Sequence, residues 1–311
     1  MREGKNSTHV QAGNVPKGAN FLLGGLAGMS AIVFVQPLDL VKNRMQLSGE
    51  GGVGREHKTS LHAIVKITRN EGILGLYNGL SAGLFRQATY GTVRMGIYQS
   101  LYDHFTSADG THPSAATKLL AGVFAGACGA LVGTPAEVSL IRMTADGRLP
   151  PEKQRGYKNV FNALARITGE EGFGALWRGC GPTVVRAMVV NGAELATYSQ
   201  AKQFLLETAY FQDNITCHFV ASTLSGFVTA VVSMPADIAK TRVQNMRTIN
   251  GVPEYSGAID VLRTAIRKEG FFSLWKGFTP YLARIGPYTV LFFIFLEQYK
   301  ILYYRNFCNH V

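Results

Sequence analysis

The sequence predicts an all-α membrane protein built from three repeats, each with two long membrane-crossing helices and one short amphipathic helix. Three observations predict it. First, "PLDLVKNRMQ", "PAEVSLIRMT" and "PADIAKTRVQ" begin at Pro37, Pro135 and Pro235, with separations of 98 and 100 residues, so one unit recurs through the chain. Second, each copy closes an apolar, small-residue segment. The chain of 311 residues is 47% hydrophobic and 16% charged, well below the roughly one quarter charged residues of soluble domains. Third, positive charge is sorted between alternate loops. No stretch is a clean apolar run of about 18 residues, so the spans must be interrupted by polar side chains that face one another.

The register holds beyond the proline motif. "EGILGLYNG", "EGFGALWRG" and "EGFFSLWKG" start at Glu71, Glu171 and Glu269, and Gly28, Gly126 and Gly226 each lie nine residues before their proline. Arg86, Arg186 and Arg284 occupy one equivalent position. After a tail (1–19) the repeats are read as 20–112, 113–210 and 211–311. The first long segments run through 20–47, 117–145 and 215–245. A short amphipathic stretch follows, as in "YKNVFNALARITGEEG" (157–172), where Val160, Phe161, Leu164 and Ile167 recur at helical spacing. The second long segments run through 80–105, 180–205 and 278–304. About 26 residues at about 1.5 Å each make roughly 39 Å, enough to cross a bilayer with tilt.

Loops within repeats are basic: Arg55, Lys58, Lys66 and Arg69; Arg148, Lys153, Arg155, Lys158 and Arg166; Arg247, Arg263, Arg267 and Lys268. Loops between repeats, 103–117 and 203–217, hold no Lys or Arg. Six spans would therefore place every basic loop on one side, which is the positive-inside pattern. The net charge of +11 is explained by lipid headgroups and an anionic substrate. The loops lack the motifs and aromatic interleaving of a nucleic-acid surface. Four scattered cysteines (Cys128, Cys180, Cys217, Cys308) and seven scattered histidines have no metal spacing, and no nucleophile elbow, phosphate loop or paired catalytic carboxylates appear. "GGLAG" (24–28) sits in an apolar segment, where helix packing is its expected use. The N-terminal stretch has no apolar signal region, and no cofactor is expected.

Within the motif, Pro37 removes a backbone hydrogen bond late in its helix. Asp39 and Lys42 are expensive near hydrocarbon and should face inward. They can pair within one helix and anchor its end at headgroup level. With threefold repetition, each acid can instead bond the base of the next repeat and close a ring. Arg94 is asymmetric, its counterparts being Glu194 and Phe292. With Arg86, Arg186 and Arg284 it is a candidate for gripping carboxylates through the guanidinium fork. Headgroup snorkelling, or a structural pair between Arg94 and Glu194, is the alternative. Lys118 is either an anion-steering group or a helix-end anchor.

The triplicated P-x-[DE]-x-x-[KR]-x-[KR] pattern, the E-G pairs and the "WRG" (177–179) and "WKG" (275–277) ends resemble the mitochondrial carrier family over essentially the whole chain. The resemblance implies a pseudo-threefold barrel of six tilted transmembrane helices, three short matrix-side helices, and both termini on the intermembrane-space side of the inner membrane. It also implies one central site, alternating access, a monomer, and cardiolipin at the repeat ends. It implies inter-repeat matrix gate pairs Lys42–Asp237 and Lys240–Glu137, braced by Gln46 and Gln244. Repeat 2 departs: Leu140 stands where a base is expected and Thr144 where a glutamine is, so Asp39 lacks its partner and Arg142 and Arg44 are candidate replacements. The cytosolic gate is thinner, with Gln99, Ser199 and Glu297 at the acid positions and Tyr102, Lys202 and Lys300 at the base positions. Glu297–Lys202 is the one strong pair expected there. The segments 34–51, 133–150 and 271–281 are similar to the members that exchange 2-oxoglutarate for malate, and no arginine triplet of the nucleotide-carrying members is present. Small dicarboxylates are the expected substrates. A dicarboxylate–phosphate exchanger, an uncoupling-type carrier and a non-transporting scaffold are the rival readings.

Overall fold

The structure is a computed structural model that describes residues 17–49, 59–106, 114–149, 152, 154–208, 214–246, 248–249 and 252–308. Most of the tail and the loop bases Arg55, Lys58, Lys153 and Arg247 lie outside the described residues. In chain order the helices are α1 (Lys17–Leu47), α2 (Ser60–Glu71), α3 (Leu80–Arg86), α4 (Thr92–Phe105), α5 (Ala115–Asp146), α6 (Val160–Glu171), α7 (Cys180–Glu207), α8 (Ile215–Asn245), α9 (Ala258–Glu269) and α10 (Phe278–Tyr303). A π-turn (Gln87–Gly91) joins α3 to α4, so the two form one long segment. The all-α expectation needs one small addition, a hairpin of two-residue strands, β1 (Thr248–Ile249) and β2 (Val252–Pro253).

Local chemistry sets the helix ends. Thr59, Ser114, Asn159 and Asn214 cap α2, α5, α6 and α8 by accepting a backbone N–H with their side chains. The E-G glycines stop α2, α6 and α9 with φ of 75°, 86° and 88°, values that favour a residue without Cβ. The three short helices bury Ala63 and Ile67, Val160, Ala163 and Ile167, and Val261 and Ala265, which is helical spacing against the long helices. Phe161, expected on that buried face, is 67% exposed and meets Phe85 edge-on instead. Val160, Ala163 and Ile167, at i, i+3 and i+7, take the inner positions.

The long helices close into a ring. The second helix of each repeat packs on the first helix of the next: α4 on α5, α7 on α8, α10 back on α1. The first helices α1, α5 and α8 also touch one another. The ring is polar inside and apolar outside. Arg44, Arg142 and Arg242 are among its largest fully buried side chains, while Leu22, Phe34, Phe124, Leu131, Val232 and Phe293 are exposed. That inversion suits a hydrocarbon solvent. By length and composition four stretches can cross a membrane: Phe21–Leu47, Ala116–Asp146, Val220–Asn245 and Phe271–Asn306. The segments 80–105 and 180–207 are less apolar because they carry Arg86, Gln87, Arg94 and Asp103, and Arg186, Asn191, Glu194 and Lys202. They complete the set of six by repeat symmetry and length.

Candidate functional site

The proline motifs bring α1, α5 and α8 together at the basic-loop end of the ring. There Lys42 Nζ donates to Asp237 Oδ2 at 2.7 Å, and Lys240 Nζ to Glu137 Oε1 at 2.6 Å. Both bonds run between repeats, and all four side chains are nearly enclosed. Leu140 makes no such bond and packs with Ala82, Met143, Val160 and Ala163. The three equivalent arginines complete the layer. Arg86 pairs with Glu137 at 3.0 Å, Arg186 with Asp237, and Arg284 with Asp39. Each arginine thus reaches the acid of the next repeat, in cyclic order.

This corrects one expectation. The partner of Asp39 is neither Arg142 nor Arg44 but Arg284, because the cyclic packing of α10 on α1 delivers that guanidinium. Glu137 and Asp237 therefore hold two cations each, and Asp39 holds one. The brace residues also divide. Gln244 Nε2 reaches Glu137 Oε2 at 3.4 Å. Among the described residues Gln46 makes no hydrogen bond to the Lys42–Asp237 pair; its Oε1 accepts from Thr241 Oγ1 at 2.8 Å, a hydroxyl that also bonds the Asp237 carbonyl.

Arg44 and Arg142 are instead committed to a second layer. Arg44 Nε donates to the carbonyl of Thr144 at 2.9 Å, Arg142 Nε to that of Gln244 at 3.2 Å, and Arg242 Nε to that of Gln46 at 3.2 Å. Each guanidinium also forks onto the E-G glutamate of its own repeat: Glu71, Glu171 and Glu269. The base of the aromatic-[KR]-G end joins in, Arg178 on Glu171 at 2.8 Å and Lys276 on Glu269. Burial pushes the carboxyls of Glu171 and Glu269 up, but bonds and charge from Arg142 and Arg178, and from Arg242 and Lys276, hold both below the ordinary value. Repeat 1 has only Asn78 there, with Nδ2 3.3 Å from Glu71 Oε2. A cavity of about 470 Å³ opens beside it, lined by Glu71, Asn78, Met143 and Asp146 and by none of the charged gate side chains. This layer was missed from sequence, although the triplicated second base and E-G glutamate were its signal.

The glycine of the same landmark has a geometric reason. Gly79, Gly179 and Gly277 have φ of 85°, 82° and 86°. A Cβ on Gly277 would lie 3.1 Å from the Lys42 carbonyl oxygen, and one on Gly179 2.7 Å from Gln244 Cγ. The second helix of each repeat can therefore start directly against a neighbouring motif.

The remaining candidates are not brought into this network. Arg94 is exposed, with its Cβ over Gly129 of α5, and it makes no ion pair with Glu194 among the described residues. The π-turn that precedes its helix has Thr89 Oγ1 donating to the Phe85 carbonyl at 2.9 Å. Lys118 lies over the Tyr102 ring at 5.9 Å. Among the described residues no ion pair joins Lys202 to Glu297, and Glu297 is exposed. Among the described residues, adjacent helices farther toward that end also meet through neutral pairs: Thr197 Oγ1 with Ser225 Oγ at 2.7 Å and Tyr198 Oη with His218 Nδ1 at 2.7 Å. With Gln99, Ser199 and Tyr102 in charge positions, Glu297 is the one acid and Lys202 and Lys300 the two bases of the motif at that end.

The sequence model of the family described as "Mitochondrial carrier protein" matches residues 13–109, 111–209 and 211–307. The chain belongs to the mitochondrial carrier family. It is 66% identical over 294 residues to the human "Mitochondrial 2-oxoglutarate/malate carrier protein", covering 94% of each chain. It is 58% identical to the Caenorhabditis elegans protein of that name, covering 94% of this chain and 95% of the other. It is 39% identical to Arabidopsis thaliana "Mitochondrial uncoupling protein 5", covering 91% and 97%. As a carrier, the chain belongs to a family of transporters rather than of enzymes.

The one-cation position of Asp39 can be tested directly. Leu140→Lys in this carrier is expected to add the missing inter-repeat bond, raise Tm by about 2–4 °C and slow turnover about fivefold by stabilising the closed end. Unfolding in detergent and exchange in liposomes measure both. An unchanged rate and Tm would show that the lysine does not reach Asp39.

Proposed function

We propose that this carrier exchanges 2-oxoglutarate for malate or a related dicarboxylate across the mitochondrial inner membrane, one dianion for one dianion. The observation that carries the reading is the 66% identity, over 94% of both chains, to a protein of that name. The charge of the ring supports it. Three carboxylates (Asp39, Glu137, Asp237) face five cations (Lys42, Lys240, Arg86, Arg186, Arg284), a surplus of two positive charges. One dicarboxylate carries the matching charge, and the arginine fork suits each of its ends.

The arginines link binding to gating because they serve both. In the closed ring they hold the gate acids. A dianion that takes over their forks leaves those acids with fewer cations and lowers the barrier to opening, so the site opens when substrate has arrived. Arg94 and Lys118 line the approach as further anion contacts, and Lys202, Glu297 and Lys300 form a weak opposite gate. The closed end faces the matrix and both termini face the intermembrane space. Cardiolipin binds at the repeat ends, and one ring with one site works as a monomer.

The test is uptake of labelled 2-oxoglutarate into liposomes carrying the purified protein and preloaded with malate, phosphate, ATP or nothing. Uptake with internal malate or 2-oxoglutarate only, reduced at least about tenfold in Arg284→Ala, is the expected result. Uptake driven by phosphate moves the protein to the dicarboxylate–phosphate class. No uptake from folded protein under any load supports a scaffold.

A further inference from the structure

A proline at position i lacks the N–H that would bond the carbonyl of residue i−4. Pro37, Pro135 and Pro235 therefore free the carbonyls of Val33, Leu131 and Val231, in a part of the helix where water is excluded and an orphan polar group is costly. Two of the three are met from outside their helix. The indole Nε1 of Trp177 donates to the Leu131 carbonyl at 2.9 Å, and that of Trp275 to the Val231 carbonyl at 3.0 Å. These are the two tryptophans of the chain. Each indole is steadied by the ring four residues earlier, Phe173 at 5.0 Å and Phe271 at 5.3 Å. The next residue is the base that sits on the E-G glutamate, Arg178 or Lys276. In repeat 1 the aromatic is Tyr77, which makes no such bond among the described residues.

We propose that Trp177 and Trp275 are positioning residues of the gate, each clamping the helix at Pro135 or Pro235 to the turn of its own repeat. The indole holds the helix just before the proline, and the arginine–glutamate fork holds it just after the gate charges. The half-helix after the proline, the short amphipathic helix and the turn that follows it then move as one body, so the gate residues arrive together. This inference rests on the gate reading above.

The clamp makes a prediction that packing alone does not. Trp275→Phe keeps an aromatic ring and removes the N–H donor. Pro235→Ala restores the backbone N–H that can bond the Val231 carbonyl itself, so the indole is no longer needed. The full-length protein and three variants are compared: Trp275→Phe, Pro235→Ala and the double variant. Exchange of labelled 2-oxoglutarate for malate in liposomes gives kcat and KM, and unfolding in detergent gives Tm without requiring transport.

The single Trp275→Phe change is expected to lower Tm and to reduce kcat about three- to tenfold, with KM changed less than about twofold. Added to Pro235→Ala, it is expected to have no further effect on either quantity beyond about twofold in rate. An equal loss in both backgrounds overturns the proposal, because the indole then acts by bulk. No loss in the parent, or a rise in KM at constant kcat, overturns it as well. If Pro235→Ala does not transport, the Tm cycle decides the matter. If the parent protein itself exchanges nothing, the transport reading fails, and the Tm cycle still reads the clamp.

Discussion

Asp237→Asn is expected to cost more than the same change at Asp39, although the two acids occupy one symmetric position. Asp237 is 3% exposed and takes both Lys42 and Arg186, whereas Asp39 is 16% exposed and takes Arg284. Neutralising Asp237 leaves both Lys42 and Arg186 without their carboxylate. Breaking a buried pair costs about 3–5 kcal/mol, and a drop of about 10 °C in Tm follows. Exchange in liposomes is expected to fall about a hundredfold, since one end can no longer close firmly and the cycle stalls. Asp39→Asn is expected to show about half the Tm loss. Equal losses at the two sites would mean that the surplus cation on Asp237 contributes nothing, and a larger loss at Asp39 would contradict the cyclic pairing.

The second large effect concerns the buried arginines beneath the ring. Arg44→Ala is expected to destabilise the protein more than Arg142→Ala or Arg242→Ala. All three lose a bond to a neighbouring repeat's carbonyl and a fork to a glutamate. Glu171 and Glu269 keep Arg178 and Lys276, but among the described residues Glu71 keeps only the amide of Asn78. A largely enclosed carboxylate without a cation adds roughly 1–3 kcal/mol to the loss. We expect a Tm lower by about 10–15 °C for Arg44→Ala and about 8–10 °C for the other two. Asn78→Arg in the Arg44→Ala protein should recover part of the difference. If the three alanine variants unfold at one temperature, the base of the landmark does not share the glutamate's charge.

Much of the fold was legible because it is written three times. The long segments read at 20–47, 117–145 and 215–245 are observed at Lys17–Leu47, Ala115–Asp146 and Ile215–Asn245. The periodicity of apolar residues and the prolines, glycines and caps that bound it are local signals, and repetition removes their noise. Phe161 shows the limit. Helical spacing places it beside Val160 and Ile167, but which side of a stripe faces the core depends on how close the neighbouring helix comes.

Partner choice was far less legible, and for a symmetric reason. Each acid of the motif has candidate bases in the two other repeats, besides those in its own helix, and nothing in the spacing ranks them. Arg284 lies 245 residues from Asp39 and becomes its partner only when α10 packs back on α1. Arg44, Arg142 and Arg242 were equally eligible for the ring, yet the helix turns them toward the E-G glutamates one layer below.

By itself, then, the sequence determined that there are three repeats, six long helices, one charged end and a surplus of positive charge, since these follow from composition and period along the chain. The tertiary structure decided that Asp39 meets Arg284 and that Arg44, Arg142 and Arg242 turn to the E-G glutamates, because ring closure brings together groups as far as 245 residues apart and spacing carries no information about that distance.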